Sequence, residues 1–252
     1  MAKHSKKEIE KVKAAEHKAR MAEAKARRKQ QPDLERATPV LEVKPTILIY
    51  CEGKNTEPSY FQKFRISSAT VKIFGEGKNT LSLVQEAEMI ANKAKDNGKP
   101  FEKVWCVFDA DPKPDNPKQL ENFNAAVAYS KKLGYGTAYT NQAFEYWLIL
   151  HFEDHQGGSM LRTDYHSKLN SYLKPLGLFY DGHHSKKISK EIYEVLFETV
   201  KTDKNGKPVS RCDIATTRAQ RIYDTKEEPR NPGNEESSTT VHLLVEELLG
   251  LK

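Results

Sequence analysis

Long apolar runs are missing from this 252-residue chain. No stretch of about 18 apolar residues occurs, which excludes a membrane-spanning helix. Cysteine is scarce: Cys51, Cys106 and Cys212 are widely spaced and none falls in a Cys-x-x-Cys pair. That excludes a disulfide framework and a cysteine-based zinc site, and fits reduced thiols in a cytoplasm. No apolar core follows the first lysines, so a secretory leader is not expected. Neither glycine (13) nor proline (12) is abundant enough for a collagen-like or low-complexity chain. No internal repeat is visible.

What is there divides unevenly. The formal charge of +6 comes from 41 Lys and Arg against 35 Asp and Glu. Residues 1–31 hold eleven of those cations and only four acids, and the rest of the chain is near neutral. This is therefore a neutral body with a basic tail, not a histone-like protein. The tail is rich in Lys, Arg, Glu and Ala, which favour helix. It reads either as a solvated helix or as an arm for phosphates or an acidic partner. Residues 1–44 are expected to be tail and linker.

From residue 45 the pattern alternates. Thr46–Cys51 is a continuous apolar run, as for a strand buried on both faces of a parallel sheet. A helix should begin near Glu57-Pro58, with proline early in its first turn. Val71–Phe74, Val104–Phe108 and Gly136–Thr140 read as further strands. Thr80–Lys95, Asn116–Leu133 and Ala143–Phe152 read as helices, with Gly134 as a C-cap. The βα alternation predicts an α/β fold with a parallel four-stranded sheet flanked by helices over residues 45–155. Residues 156–252 read as a helical extension packed on it, with helices near 163–175, 186–200, 212–225 and 238–249. A short hairpin is allowed around Asn205-Gly206.

Ligands of open parallel sheets bind beyond the carboxyl ends of the strands. Two strands end there on acids: the first on Glu52, the third on Asp109 and Asp111. Residues i and i+2 share a side while a chain is extended. Carboxylates so placed repel one another and need a cation, and hard oxygen donors suit Mg²⁺ or Mn²⁺. The competing reading is of solvated turn acids, since Asp-x-Asp-Pro is a plausible turn.

These residues carry a resemblance. Cys51-Glu52-Gly53-Lys54-Asn55-Thr56-Glu57-Pro58-x-Tyr60-Phe61 resembles the opening motif of the RloB-like family. Phe108-Asp109-x-Asp111, Asn141-x-x-Phe144-Glu145-x-Trp147-Leu148-x-Leu150-His151-Phe152 and Thr239-Thr240-Val241-His242-x-Leu244-Val245 resemble its later blocks. The resemblance spans roughly residues 45–250. It implies a Toprim-like core, related to the OLD-type nucleases, with Mg²⁺- or Mn²⁺-dependent phosphodiester chemistry on nucleic acid. It further implies an effector role in bacterial anti-phage defence beside an ATPase partner. By that resemblance Glu52 is a metal ligand or general acid/base, Asp109 and Asp111 are the metal pair, and Glu57 is a second acid. The spacing from Glu52 to Glu57 is five residues where about four is expected in OLD-type domains, and Glu57 also reads as an acid complementing a helix dipole.

Other candidates follow from position. Glu145, early in an apolar helix, needs a partner: a second metal, or Lys54. Lys54, beside Glu52, is placed to stabilise phosphate charge. Lys186, Lys187, Arg218 and Arg221 can touch phosphates, or form solvated faces. Asn141 reads as a helix cap. His151, Glu153 and His155 have metal-like spacing, but the helix frays there. Cys51 reads as buried, and Tyr60 as core. Gly75-x-Gly77-Lys78-Asn79-Thr80 lacks the interval of a Walker loop, so no ATP site is expected. Haloacid-dehalogenase-like phosphatases also place Asp-x-Asp at a strand end, but on an early strand. The alternative to a nuclease is a non-catalytic module that binds nucleic acid or docks on an ATPase.

Overall fold

A strand without a charged residue has no face to give to water, so it is covered on both sides. The computed structural model, which describes residues 6–29, 45–64, 66–67, 69–73, 80–113, 115–116, 118–227 and 229–250, shows this for β1 (Ile47–Cys51), buried along its whole length. Four strands form one parallel sheet in the order β2-β1-β3-β4, with β2 at Ala69–Ile73, β3 at Lys103–Asp109 and β4 at Gly136–Thr140. The helices between them are α2 (Thr56–Phe61), α3 (Thr80–Asp96) and α4 (Lys118–Leu133), with α5 (Glu145–Leu150) after β4. The expected α/β fold with its parallel four-stranded sheet is therefore present. Strand bounds agree with the sequence reading to within two residues, and β4 agrees at both ends. Gly134 does lie past the end of α4 with φ of +73°, where a side chain would be strained.

Side chains alternate across the sheet. Leu48, Tyr50, Val104, Cys106, Phe108 and Tyr139 meet Leu83, Val84 and Ala87 of α3 and Phe123 and Ala126 of α4. Ile47, Ile49, Trp105, Val107 and Ala138 join the other core. That second core is closed by the C-terminal helices α6 (Arg162–Leu173), α7 (Lys190–Leu196), α8 (Arg211–Asp224) and α9 (Val241–Gly250). At its centre Tyr60 lies edge-on to Phe61, Phe64, Phe144 and Trp147, with ring centroids 5.3–6.5 Å apart. Edge-to-face pairs of this kind add about 0.5–1.5 kcal/mol each beyond burial. Tyr60 is thus a core residue, as its aromatic neighbours imply.

Lys44–Lys252 form one compact unit and Met1–Val43 another. In the latter, α1 (Lys6–Lys29) is a 24-residue helix whose described side chains are all exposed. The linker read at residues 32–44 and the turn at residues 74–79 lie outside the described residues.

Two local readings change. The segment read as helix to residue 200 leaves α7 at Leu196, and Thr199–Thr202 (β5) pairs antiparallel with Pro208–Ser210 (β6). The β-branched Thr199, Val200 and Thr202 favour a strand. Asp203 closes the hairpin by accepting from the Asn205 and Lys207 amides at 2.8 and 2.9 Å. Asn141 does not cap α5. Its amide donates to the carbonyl of Pro232 at 3.1 Å, and Phe144 occupies the cap position without a side-chain bond.

Candidate active site

Parallel pairing carries the ends of β1 and β3 to the same edge of the sheet. The Glu52 amide still donates to Val107 at 2.9 Å, and the Ala110 amide to Thr140 at 2.9 Å. The two acids that follow are therefore adjacent: Glu52 Oε2 accepts from the Asp109 amide at 3.2 Å. Asp109 Oδ2 in turn accepts from the Phe144 amide at 3.2 Å, which ties the end of β3 to the start of α5. The first turn of α5 brings Glu145, whose Oε1 accepts from the hydroxyl of buried Tyr180 at 2.8 Å. Tyr180 also lies 3.2 Å from Thr56 Oγ1 on α2.

Glu57 enters from the first turn of α2 and is only 5% exposed. Its carboxylate lies against Gly53, where an added Cβ would stand 2.1 Å from Glu57 Oε2. The missing side chain of Gly53 thus leaves room for the Glu57 carboxylate. Asp111 departs from the expected arrangement. The chain does not stay extended to it: Asp111 has φ of +41°. Its carboxylate pairs with Arg162, on α6, and lies 3.6 Å from Lys113.

The acids act on one another. Burial, reinforced by the charges of Glu145 and Glu52, pushes the Glu57 carboxyl up to about 7, against its own backbone amide and Arg162. Burial and the charges of Glu57, Glu52 and Glu145 hold the Asp109 carboxyl well above the usual range. Burial also raises Glu52, with Asp111 adding to it, while the Asp109 amide, Arg162 and Lys113 oppose. Burial weakens the charge on Arg162, yet Asp111, Asp109 and Glu145 together carry its proton affinity above the ordinary value. Five acids and one arginine thus form one electrostatic unit. Like charges crowded in this way favour either protons or a cation.

Among the described residues, no three His, Cys, Asp or Glu side chains stand close enough together to hold a metal ion. The donor set nevertheless fits one in kind. It consists of carboxylate oxygens, it is crowded enough to raise proton affinity, and its paired cation is the side chain of Arg162. Arg162 and Tyr180 were not visible in the sequence, because each lies more than 30 residues from the acid it touches and carries no local motif.

The other candidates separate. Lys54, in the loop after Glu52, lines a groove with Lys63 and Lys187. Lys186 contributes its carbonyl, which accepts from Thr56 Oγ1 at 2.8 Å. Arg218 and Arg221 lie away from the acids and tie α8 to the segment after α5. Arg218 donates to the Leu150 carbonyl at 2.8 Å, and Arg221 to Asp154 at 2.7 Å and the His155 carbonyl at 2.9 Å. His151 is buried, bonds the Trp147 carbonyl at 3.0 Å and is pushed down to about 3 by burial. Glu153 pairs with Lys168, and His155 with Tyr146. These three residues thus go to different partners. Cys51 is fully buried, which raises its thiol far above the reactive range. No helix of the described residues is long and apolar enough to cross a membrane.

The sequence model of the RloB-like protein family matches residues 47–248. No curated protein and no solved structure matches the chain.

Proposed function

The chain belongs to the RloB-like family, and from that premise we propose that it is a Mg²⁺- or Mn²⁺-dependent phosphodiesterase with a Toprim-like core that cleaves nucleic acid. One observation carries the reading. Glu52 and Asp109, at the carboxyl ends of two neighbouring parallel strands, are buried beside Glu57 on α2, and burial, reinforced by their neighbours' charges, raises the proton affinity of all three, Glu57 to about 7. A fold gains nothing in stability from such crowding, whereas a site for a hard cation needs it.

In this reading Glu52, Asp109 and Asp111 would hold the metal once their carboxylates draw together around it, with Glu57 and Glu145 beside them. The bound ion would polarise a phosphoryl oxygen and supply a nucleophilic water at neutral pH. The chain's own groups do the rest. The Asp109 amide orients Glu52, and the Phe144 amide orients Asp109. Tyr180 fixes Glu145. Glu57, poised near neutrality, takes up or releases a proton at its carboxyl. Arg162 leaves Asp111 for a phosphate oxygen when the acids are otherwise neutralised. Lys54 adds positive charge at the same loop.

We assign the enzyme to cytoplasmic anti-phage defence beside an ATPase partner, on the strength of the family. Asp109→Asn tests the chemistry, because it removes an ionisable oxygen ligand while keeping an acceptor for the Phe144 amide. The variant should fold as the wild type and lose metal-dependent cleavage of DNA and RNA. Cleavage at the wild-type rate by Asp109→Asn would sink the assignment. Plating of phage on cells expressing the chain with and without its ATPase partner tests the role, and equal plating would remove it.

A further inference from the structure

Beside the acids runs a groove that the sequence does not announce as one surface. It has a volume of about 510 Å³ and is lined by Lys54, Lys63 and Lys187 with the polar Asn55, Ser59 and Gln62. Among the described residues, none of those lining it is acidic. Its two walls are distant in sequence: the β1–α2 loop with α2, and the segment 181–188.

Long-range hydrogen bonds hold the walls together. Thr56 Oγ1 donates to the Lys186 carbonyl at 2.8 Å, and the Ile188 amide donates to Ser59 Oγ at 2.8 Å. The second wall is stiffened from within. The Asp181 carboxylate accepts from the amides of His183, His184 and Ser185 at 3.3, 3.0 and 3.1 Å, and the Lys186 amide donates to the Asp181 carbonyl at 2.8 Å. Lys186 itself adopts φ of +49°, a conformation costly for a lysine. That turn precedes Lys187, which lines the groove.

The groove is joined to the acids by residues already described. Lys54 stands two residues after Glu52, and Thr56 reaches Tyr180, which holds Glu145. The groove and the acids thus share the loop after β1 and the Thr56–Tyr180–Glu145 contacts.

We propose that this groove is the seat of the sugar–phosphate backbone of a polynucleotide, with Lys54, Lys63 and Lys187 each neutralising a phosphate. Lysine suits this role because a mobile point charge positions a backbone without reading bases. This inference rests on the phosphodiesterase reading for the orientation of the strand, but it is testable apart from it.

The experiment uses the full chain carrying Asp109→Asn, so that bound nucleic acid stays intact. Labelled single-stranded DNA, single-stranded RNA and duplex DNA serve as probes. Into that background go Lys54→Glu, Lys63→Glu and Lys187→Glu together, and separately the milder Lys→Gln triple. A charge-matched control reverses Lys93, Lys95 and Lys99, which are exposed at the end of α3 that leads to the start of β3. The groove variants should bind at least one probe ~10-fold or more weakly than the control. Their log K against log salt should be less steep by about 2 on the single strands and by about 3 on the duplex, as expected for three lost phosphate contacts. Binding of the groove variants equal to the control on all three probes would overturn the groove. It would leave the active-site reading standing if Asp109→Asn alone still abolishes cleavage. Failure of the wild type either to bind or to cleave any probe would overturn both.

Discussion

Glu57 offers the sharpest quantitative test, because its burden is measurable without a substrate. In the unfolded chain it releases its proton near 4.5, and in the folded protein near 7. Between those values the folded state holds a proton that the unfolded state has lost. Stability must therefore fall as pH rises through this window and level off above it. The shift corresponds to about 3 kcal/mol. Glu57 is buried, so solvent screening does not reduce this figure, but its neighbours share the strain and make about 3 kcal/mol the upper end. Glu57→Gln cannot ionise and still accepts from the local backbone amide. In metal-free protein with chelator, the variant should match the wild type at pH 4.5. At pH 8 it should exceed the wild type by up to about 3 kcal/mol, or about 6–12 °C in Tm for a body of this size. Urea unfolding at the two pH values, with calorimetry alongside, reads it directly. Excess Mg²⁺ should stabilise the wild type at pH 8 and narrow the gap. A variant with the same advantage at both pH values, or none, would refute the reasoning, since the acids would then not be crowded.

Three further outcomes follow. Gly53→Ala places a methyl where Glu57 Oε2 now lies; it should weaken Mn²⁺ binding by ~10-fold while costing under about 1 kcal/mol of stability, because the displaced group is the end of a flexible side chain. Arg162→Gln removes the cation paired with Asp111; it should destabilise the metal-free protein at pH 7.5 and tighten Mn²⁺ binding, and an unchanged metal affinity would place Arg162 outside the site. Tyr180→Phe deletes the donor to Glu145; it should cost about 1–2 kcal/mol in chemical denaturation and slow cleavage, with the loss of stability alone pointing to a scaffold role.

The sheet was legible because its strands are short apolar runs bounded by turn residues, and a run such as Ile47–Cys51 is stable only between two layers. The helices α3 and α9 announced themselves by spacing. The hairpin β5–β6 was legible at its Asn205-Gly206 turn but not in its strands, since the side chains are exposed along β5 and no alternation marks it. The placement of Glu52 and Asp109 followed from strand order alone. Asp111 was expected beside Asp109, but the left-handed turn at Asp111 depends on a local conformation that residue type does not specify. Arg162 and Tyr180 reach the acids through tertiary packing of the C-terminal helices, so their roles are written in contacts and not in a motif. The same packing assigns Arg218 and Arg221 to holding the segment after α5, where a basic helix face had suggested phosphate contacts.

The central claim is that the carboxylates at the ends of β1 and β3 form a site for a hard divalent cation. Calorimetric titration of the metal-free chain with Mn²⁺ at pH 7, repeated in buffers of different ionisation enthalpy, tests it most directly. Binding should be saturable and should release protons, because Glu57 titrates near neutrality and burial raises the proton affinity of Asp109, so that the metal competes with protons for these carboxylates. Both the binding and the proton release should be lost in Asp109→Asn. Absence of binding by the wild type, or an identical isotherm for the variant, would contradict the account.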